Sequence, residues 1–68
     1  MKDRLIKEIA DNLERMRGAS FAAHMAIRKL MVEYRAGDSR HDELAAMIHT
    51  CQRTSHLADS FILTLESY

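Results

Sequence analysis

The chain has 68 residues, of which 47% are hydrophobic, with no proline, two glycines and one cysteine. Its ten basic and ten acidic residues cancel, which argues against a general nucleic-acid binder, because such proteins neutralise many phosphates. The hydrophobic share excludes a disordered tail, and a lone cysteine excludes an internal disulfide. A core of this size is marginal on its own, so we expect the chain to form an oligomer, most simply a homodimer.

The start of the chain, Met-Lys-Asp-Arg, carries no apolar segment, and no stretch is apolar enough over a sufficient length to cross a bilayer. We therefore expect no secretory signal and no membrane partner. Together with the single cysteine, this predicts a cytoplasmic location.

The first half of the chain carries apolar or small residues at alternating steps of three and four. This heptad pattern requires a helix, which we place at about residues 3–35. The seam of that helix comprises Ile6, Ile9, Leu13, Met16, Ser20, Ala23, Ile27, Leu30 and Tyr34.

A turn at about residues 36–39 follows, because Gly37 can adopt a positive φ and either Asp38 or Ser39 can cap a second helix, with Asp42 as a capping-box-like partner. The same alternation then predicts a helix at about residues 40–66. Its seam comprises Leu44, Ile48, Cys51, Ser55, Ala58, Ile62 and Leu65. Because the turn is short, the helices must be antiparallel. The predicted fold is all-α: a single domain over residues 1–68, a two-helix hairpin that dimerises into a four-helix bundle.

Small residues coincide at mid-height when the chain is folded at Gly37. Ser20 and Ala23 come level with Cys51 and Ser55. This waist is either a close approach of the two helices or a space that a second subunit fills.

The second helix has more apolar surface than one neighbour can cover. A second row flanks its seam, and two adjacent rows make the broad face of a helix in a four-helix bundle. We assign this row to the homodimer interface: Met47, Leu57, Phe61 and Tyr68, with Thr54 and Thr64 between them.

The first helix has a different additional row, formed by Phe21, Met25, Arg28 and Val32. An aromatic residue, an adaptable methionine and an arginine side by side are typical of a protein-binding hot spot. We predict that this row binds a partner protein. The alternative is that the row is buried in the dimer contact.

The sequence offers little for catalysis or metal binding. His49 and His56 are seven residues apart, about 10.5 Å along a helix, which is too far for one ion. Cys51 lies on the seam, away from any base that could activate it. We expect no catalytic residue, no metal site and no cofactor.

A weakly basic face remains on the second helix, where His49, Arg53 and His56 share one side. It is either a solvated polar face or a pH-sensitive patch for an acidic partner or nucleic acid.

In size, helical-hairpin form and neutral charge over the whole chain, the sequence resembles the small helical inhibitors that phages encode. Among them are anti-activators that bind quorum-sensing transcription factors and pilus-assembly ATPases. The resemblance implies a non-enzymatic regulator that binds and inhibits a larger host protein, such as a transcriptional activator or a motor ATPase.

In architecture alone, the chain is also similar to the plasmid-encoded repressors of primer, which are dimeric helical hairpins. This similarity implies the alternative function, an RNA- or DNA-binding regulator that uses His49, Arg53 and His56. A third interpretation is a purely structural oligomerisation module.

Overall fold

The computed structural model describes residues 2–68, which form two antiparallel helices and no strand. Helix α1 is Lys2–Met31 and helix α2 is Ser39–Leu65. The Cα atoms extend over 52 × 15 × 11 Å, so the hairpin is one layer thick and has two flat faces. Across residues 2–68, neither helix is long and apolar enough to cross a membrane. The predicted all-helical, two-helix architecture is confirmed.

Helix α1 ends at Met31, about four residues before the predicted end near residue 35. Two i→i+3 turns follow, in which Glu33 N donates to Leu30 O at 3.0 Å and Tyr34 N donates to Met31 O at 3.1 Å. A tighter turn of this kind keeps Tyr34 on the same side as the preceding seam. The periodicity therefore continues past the end of the helix and could not reveal where the helix stops.

The connection between the helices covers residues 32–38 and is longer than the predicted turn. Gly37 has a φ of 96°, as predicted, which a residue with a side chain rarely adopts. Asp38 is the N-cap of α2, since its Oδ1 accepts a hydrogen bond from Arg40 N at 2.9 Å. The Arg40 guanidinium lies 4.5 Å from the centroid of the Tyr34 ring, so the aromatic ring packs against the first turn of α2.

The core is small and comes from one helix. Its buried hydrophobic residues are Leu44, Ile48 and Ala58, all on α2, and none of the residues of α1 is buried. Three buried side chains bury little apolar area, and area is what stabilises a domain. Within residues 2–68, twelve large hydrophobic side chains remain exposed.

Helix α1 is rotated relative to the predicted seam. Five of the nine seam residues, including Ile6, Leu13 and Ile27, are half-buried as predicted. The other four are exposed: Ile9, Met16, Ala23 and Leu30. The prediction that this row packs inside the hairpin is wrong. The residues that follow these four in the sequence lie on the inner side of α1 instead, and three of them are half-buried: Ala10, His24 and Met31.

The rotation has a simple geometric cause. An α-helix turns by 100° per residue, so a step of three residues falls short of a full turn and a step of four passes it. Residues reached by the two kinds of step therefore lie on opposite sides of the mean direction of a seam. A single neighbouring helix covers only part of such a broad face, and here α2 covers the side reached by steps of four.

At the waist, Ser20, Cys51 and Ser55 are half-buried and Ala23 is exposed. Ala58, one turn further along α2, has 0% of its surface exposed. The helices therefore approach closely enough at this level to cover a methyl side chain completely, which favours the first of the two predicted alternatives for the waist.

Candidate binding surfaces on the two faces

One flat face of the hairpin is apolar along its whole length. Ile9 on α1 and Phe61, Thr64 and Tyr68 on α2 line a common depression, so the exposed row of each helix lies on the same side. Steps of four and seven residues extend these rows along both helices. We call this surface the apolar face: Leu5, Ile9, Met16, Leu30, Met47, Leu57, Phe61 and Tyr68, each with between 41% and 69% of its surface exposed.

Threonines on α2 add to the apolar character of this face. The hydroxyls of Thr50, Thr54 and Thr64 donate to the carbonyl oxygens of Ala46, Thr50 and Ser60, at 3.2, 2.9 and 3.0 Å. Each hydroxyl is thus bonded to its own helix, four residues back, and its methyl group is left to face outward. None of these three hydroxyls needs a polar partner from another molecule.

The opposite flat face carries a groove of about 490 Å³ at the end nearest the connection. Its floor is apolar and is formed by Met31, Ala45 and Ile48. Tyr34 and His41 close the end beside the connection, and the exposed rim is formed by Arg28, Val32, His49 and Gln52.

The rim of the groove is positive, although the chain is neutral overall. Arg28 and two histidines line the groove, and no acidic residue does. Arg28 Nε donates to His24 Nε2 at 2.7 Å. Across residues 2–68, no carboxylate pairs with Arg28. Its remaining N–H groups can therefore meet an anion from another molecule.

Two residues of the predicted partner-binding row line the groove, and the other two lie outside it. Arg28 and Val32 lie on the rim, and Val32 exposes 81% of its surface. Phe21 and Met25 lie seven residues before them on the same stripe of α1 and are also exposed, but they do not line the groove. The four residues thus share the side of the hairpin opposite the apolar face.

The predicted dimer row Met47, Leu57, Phe61 and Tyr68 lies entirely on the apolar face. The sequence did not predict that Ile9, Met16 and Leu30 lie beside it. Their seven-residue periodicity instead predicts a position inside the hairpin.

The residues of the predicted basic face, His49, Arg53 and His56, are all exposed on α2. Only His49 lines the groove, where it joins Arg28 and His41. The positive rim therefore combines residues from both helices. No sequence pattern on one helix could have identified it.

Within residues 2–68, no three His, Cys, Asp or Glu side chains are grouped so that they could hold a metal ion. Cys51 is a free, half-buried thiol on the inner side of α2. Comparison with protein-family models, with curated proteins and with solved structures finds no match to this chain.

Proposed function

We propose that this chain is a non-enzymatic regulatory protein that forms a homodimer through its apolar face and binds and inhibits a larger protein. The observation that carries the proposal is the apolar face, which runs the length of both helices, while only three hydrophobic residues of the described range 2–68 are buried. A second copy is the occupant that this face fits, since it would complete a four-helix bundle.

The area of the apolar face suits such a dimer. A large side chain has roughly 200 Å² of surface, and the eight residues of the face expose about half of theirs. Burying them would remove on the order of 800 Å² per chain from water, which equals the contribution of each partner to a standard protein interface. The threonine methyl groups between them would allow close packing without unsatisfied hydroxyls.

The opposite face would stay open in this dimer and is the surface that we assign to the target. Phe21, Met25, Arg28 and Val32 lie there, with the aromatic, methionine and arginine side chains that protein-binding surfaces favour. A regulator of this kind acts by covering a surface that its target needs. The resemblance to phage-encoded inhibitors makes a transcriptional activator of the quorum-sensing type or a motor ATPase the kind of target we propose.

Light scattering on the purified chain is the first test, followed by capture of partners from a bacterial lysate with and without nuclease. We expect twice the chain mass of 7.8 kDa and a captured protein that nuclease does not release. A nuclease-sensitive complex would instead support the RNA- or DNA-binding alternative. A folded monomer would overturn the dimer.

A pair of variants then tests the target surface. Phe21→Ala combined with Met25→Ala should abolish capture of the target while leaving the dimer mass unchanged. The control combines Glu8→Ala with Arg15→Ala, two exposed positions on the outer edge of α1, and should capture the target as the unaltered chain does. Capture that survives the first pair would show that the assigned surface is wrong.

A further inference from the structure

We infer that the groove binds an amphipathic helical segment of the target, one that inserts apolar side chains into the floor and places carboxylates against the rim. This inference rests on the proposed function and deepens it, because it states the chemistry that the target must present.

The shape of the groove fits a helix. On α2 its lining extends from His41 to Gln52, about 16 Å along the helix axis, or three turns. Its floor is apolar, with Ile48 buried and Met31 and Ala45 half-buried between the two helices. A helix laid in such a groove places side chains from successive turns on one apolar strip, the usual mode of helix-in-groove recognition.

The charge of the groove selects an acidic segment. Arg28 is permanently charged and has no carboxylate partner within residues 2–68. Asp42, whose carboxylate is 3.9 Å from His41 Nδ1, is largely exposed and does not line the groove. A carboxylate flanking an apolar stripe would therefore meet the Arg28 cation on the rim, and no acidic residue lines the groove.

Nucleic acid fits this groove less well. Phosphate backbones are held by several cationic contacts, and their affinity scales with the number of those contacts. The groove offers one permanent cation over an apolar floor, and such a floor favours aliphatic side chains over sugar and phosphate. The groove also lies opposite the apolar face, so a dimer formed through that face would present two grooves and bind two segments.

The test begins with an unbiased probe, a displayed library of random peptides of about 14 residues, which covers the length of the groove. Selection on the purified chain should enrich peptides that combine Leu, Ile, Phe or Met at helical spacing with Asp and Glu. In amide NMR spectra of the labelled chain, the best peptide should shift the signals of Arg28, Val32 and His49, with one peptide bound per chain.

Matched variants test the role of charge. Arg28→Ala should weaken binding of the selected peptide about tenfold, as expected for a charge-assisted contact. Lys29→Ala removes a positive charge from the neighbouring exposed position, outside the groove, and should change binding less than about twofold. Both side chains are exposed, and circular dichroism would verify that both variants remain helical.

The groove assignment would be overturned if no peptide is selected, if the selected peptides lack acidic residues, or if their NMR shifts map to another face. An RNA oligonucleotide that displaces the peptide at physiological salt would also overturn it. Different results would overturn the proposed function: a monomeric mass in light scattering, or the absence of a captured protein. Peptide binding by a monomer would therefore retain the groove and remove the dimer.

Discussion

Arg17 on α1 donates a hydrogen bond from Nη1 to Asp59 Oδ1 on α2 at 2.6 Å. Within residues 2–68 it is the ion pair that links the two helices, and both side chains remain about half exposed. The bond raises the pKa of the Arg17 guanidinium, chiefly through the hydrogen bond and then through the charge of Asp59. Because Arg17 points toward α2, the neighbouring Met16 points toward the apolar face.

Asp59→Asn should lower the thermal midpoint by a small amount, roughly 1–4 °C, because an exposed ion pair contributes little to stability. The amide keeps a hydrogen-bond acceptor, so the substitution isolates the charge. Since salt screens exposed charges, the difference from the unaltered chain should disappear near 1 M salt. Asp11→Asn, at an exposed position without a cross-helix partner, is the control. A difference that persists at high salt would show that the pair acts through geometry instead.

The two glycines should respond in opposite directions to alanine. Gly37 has a φ of 96°, and a side chain in that conformation costs about 1–2 kcal/mol. Gly18 lies within α1 and an added Cβ would meet no atom within 4 Å, so Gly18→Ala should stabilise the fold by about 0.5–1 kcal/mol. Chemical denaturation of both variants measures this contrast. Equal effects on stability would contradict the assigned turn.

Ala58 should not tolerate a larger side chain, because 0% of its surface is exposed between the helices. Ala58→Leu should destabilise the hairpin by about 1–3 kcal/mol, the usual cost of overpacking a filled site. Ala46→Leu makes the same change at an exposed position of α2 and should alter the free energy of unfolding by less than about 0.5 kcal/mol. A neutral Ala58→Leu would mean that the helices do not approach closely at the waist.

Acid should remove the contribution of Asp38 to stability. Hydrogen bonds from the side chain and backbone of Arg40 hold the pKa of Asp38 below its ordinary value of 3.8. A carboxyl with a lowered pKa in the folded state stabilises the protein above its unfolded pKa, and that stabilisation is lost as the pH falls through the folded value. Asp38→Asn caps the helix without the charge.

Its thermal midpoint should therefore lie a few degrees below that of the unaltered chain at pH 7, roughly 1–4 °C. The two midpoints should converge as the pH falls below 3.8. Melting curves followed by circular dichroism between pH 2 and pH 7 provide the measurement. A gap between the midpoints that widens in acid would contradict the capping role of this carboxylate.

The sequence predicted the parts of the fold that depend on local geometry and missed those that depend on which neighbour is present. Helical periodicity, the positive φ of Gly37 and a cap at Asp38 or Ser39 follow from local geometry, and the structure shows two helices, a φ of 96° at Gly37 and the cap at Asp38. The orientation of α1 is not local. The row containing Ile9 and the row containing Ala10 both fit a helical seam, and only the position of α2 decides between them.

The candidate surfaces show the same division. The sequence predicts the row containing Phe61, because that row repeats every seven residues along α2. It does not predict the positive groove, because Arg28 and His49 are far apart in sequence and acidic residues such as Glu33 and Asp42 lie near them along the chain. Net charge, averaged over the chain, conceals a rim that forms only when the two helices are placed side by side.

Phe61→Glu should convert the proposed dimer into a monomer. Phe61 lies on the apolar face with 50% of its surface exposed, so a carboxylate there costs the hairpin itself little. In the dimer it would be buried without a partner, which costs several kcal/mol and disfavours association. Light scattering should show the mass falling from twice the chain mass to 7.8 kDa, and circular dichroism should show retained helix.

Leu63→Glu is the matched control, because it places the same charge two residues along the same helix, on the other side, where Leu63 exposes 65% of its surface. That variant should remain dimeric. If both variants dissociate, general destabilisation explains the result. If only Leu63→Glu dissociates, the dimer forms through the face that bears the groove, and the assignments of the two faces must be exchanged. Dissociation of Phe61→Glu alone would place the dimer contact on the apolar face, because the two substitutions differ in the side of α2 that they charge.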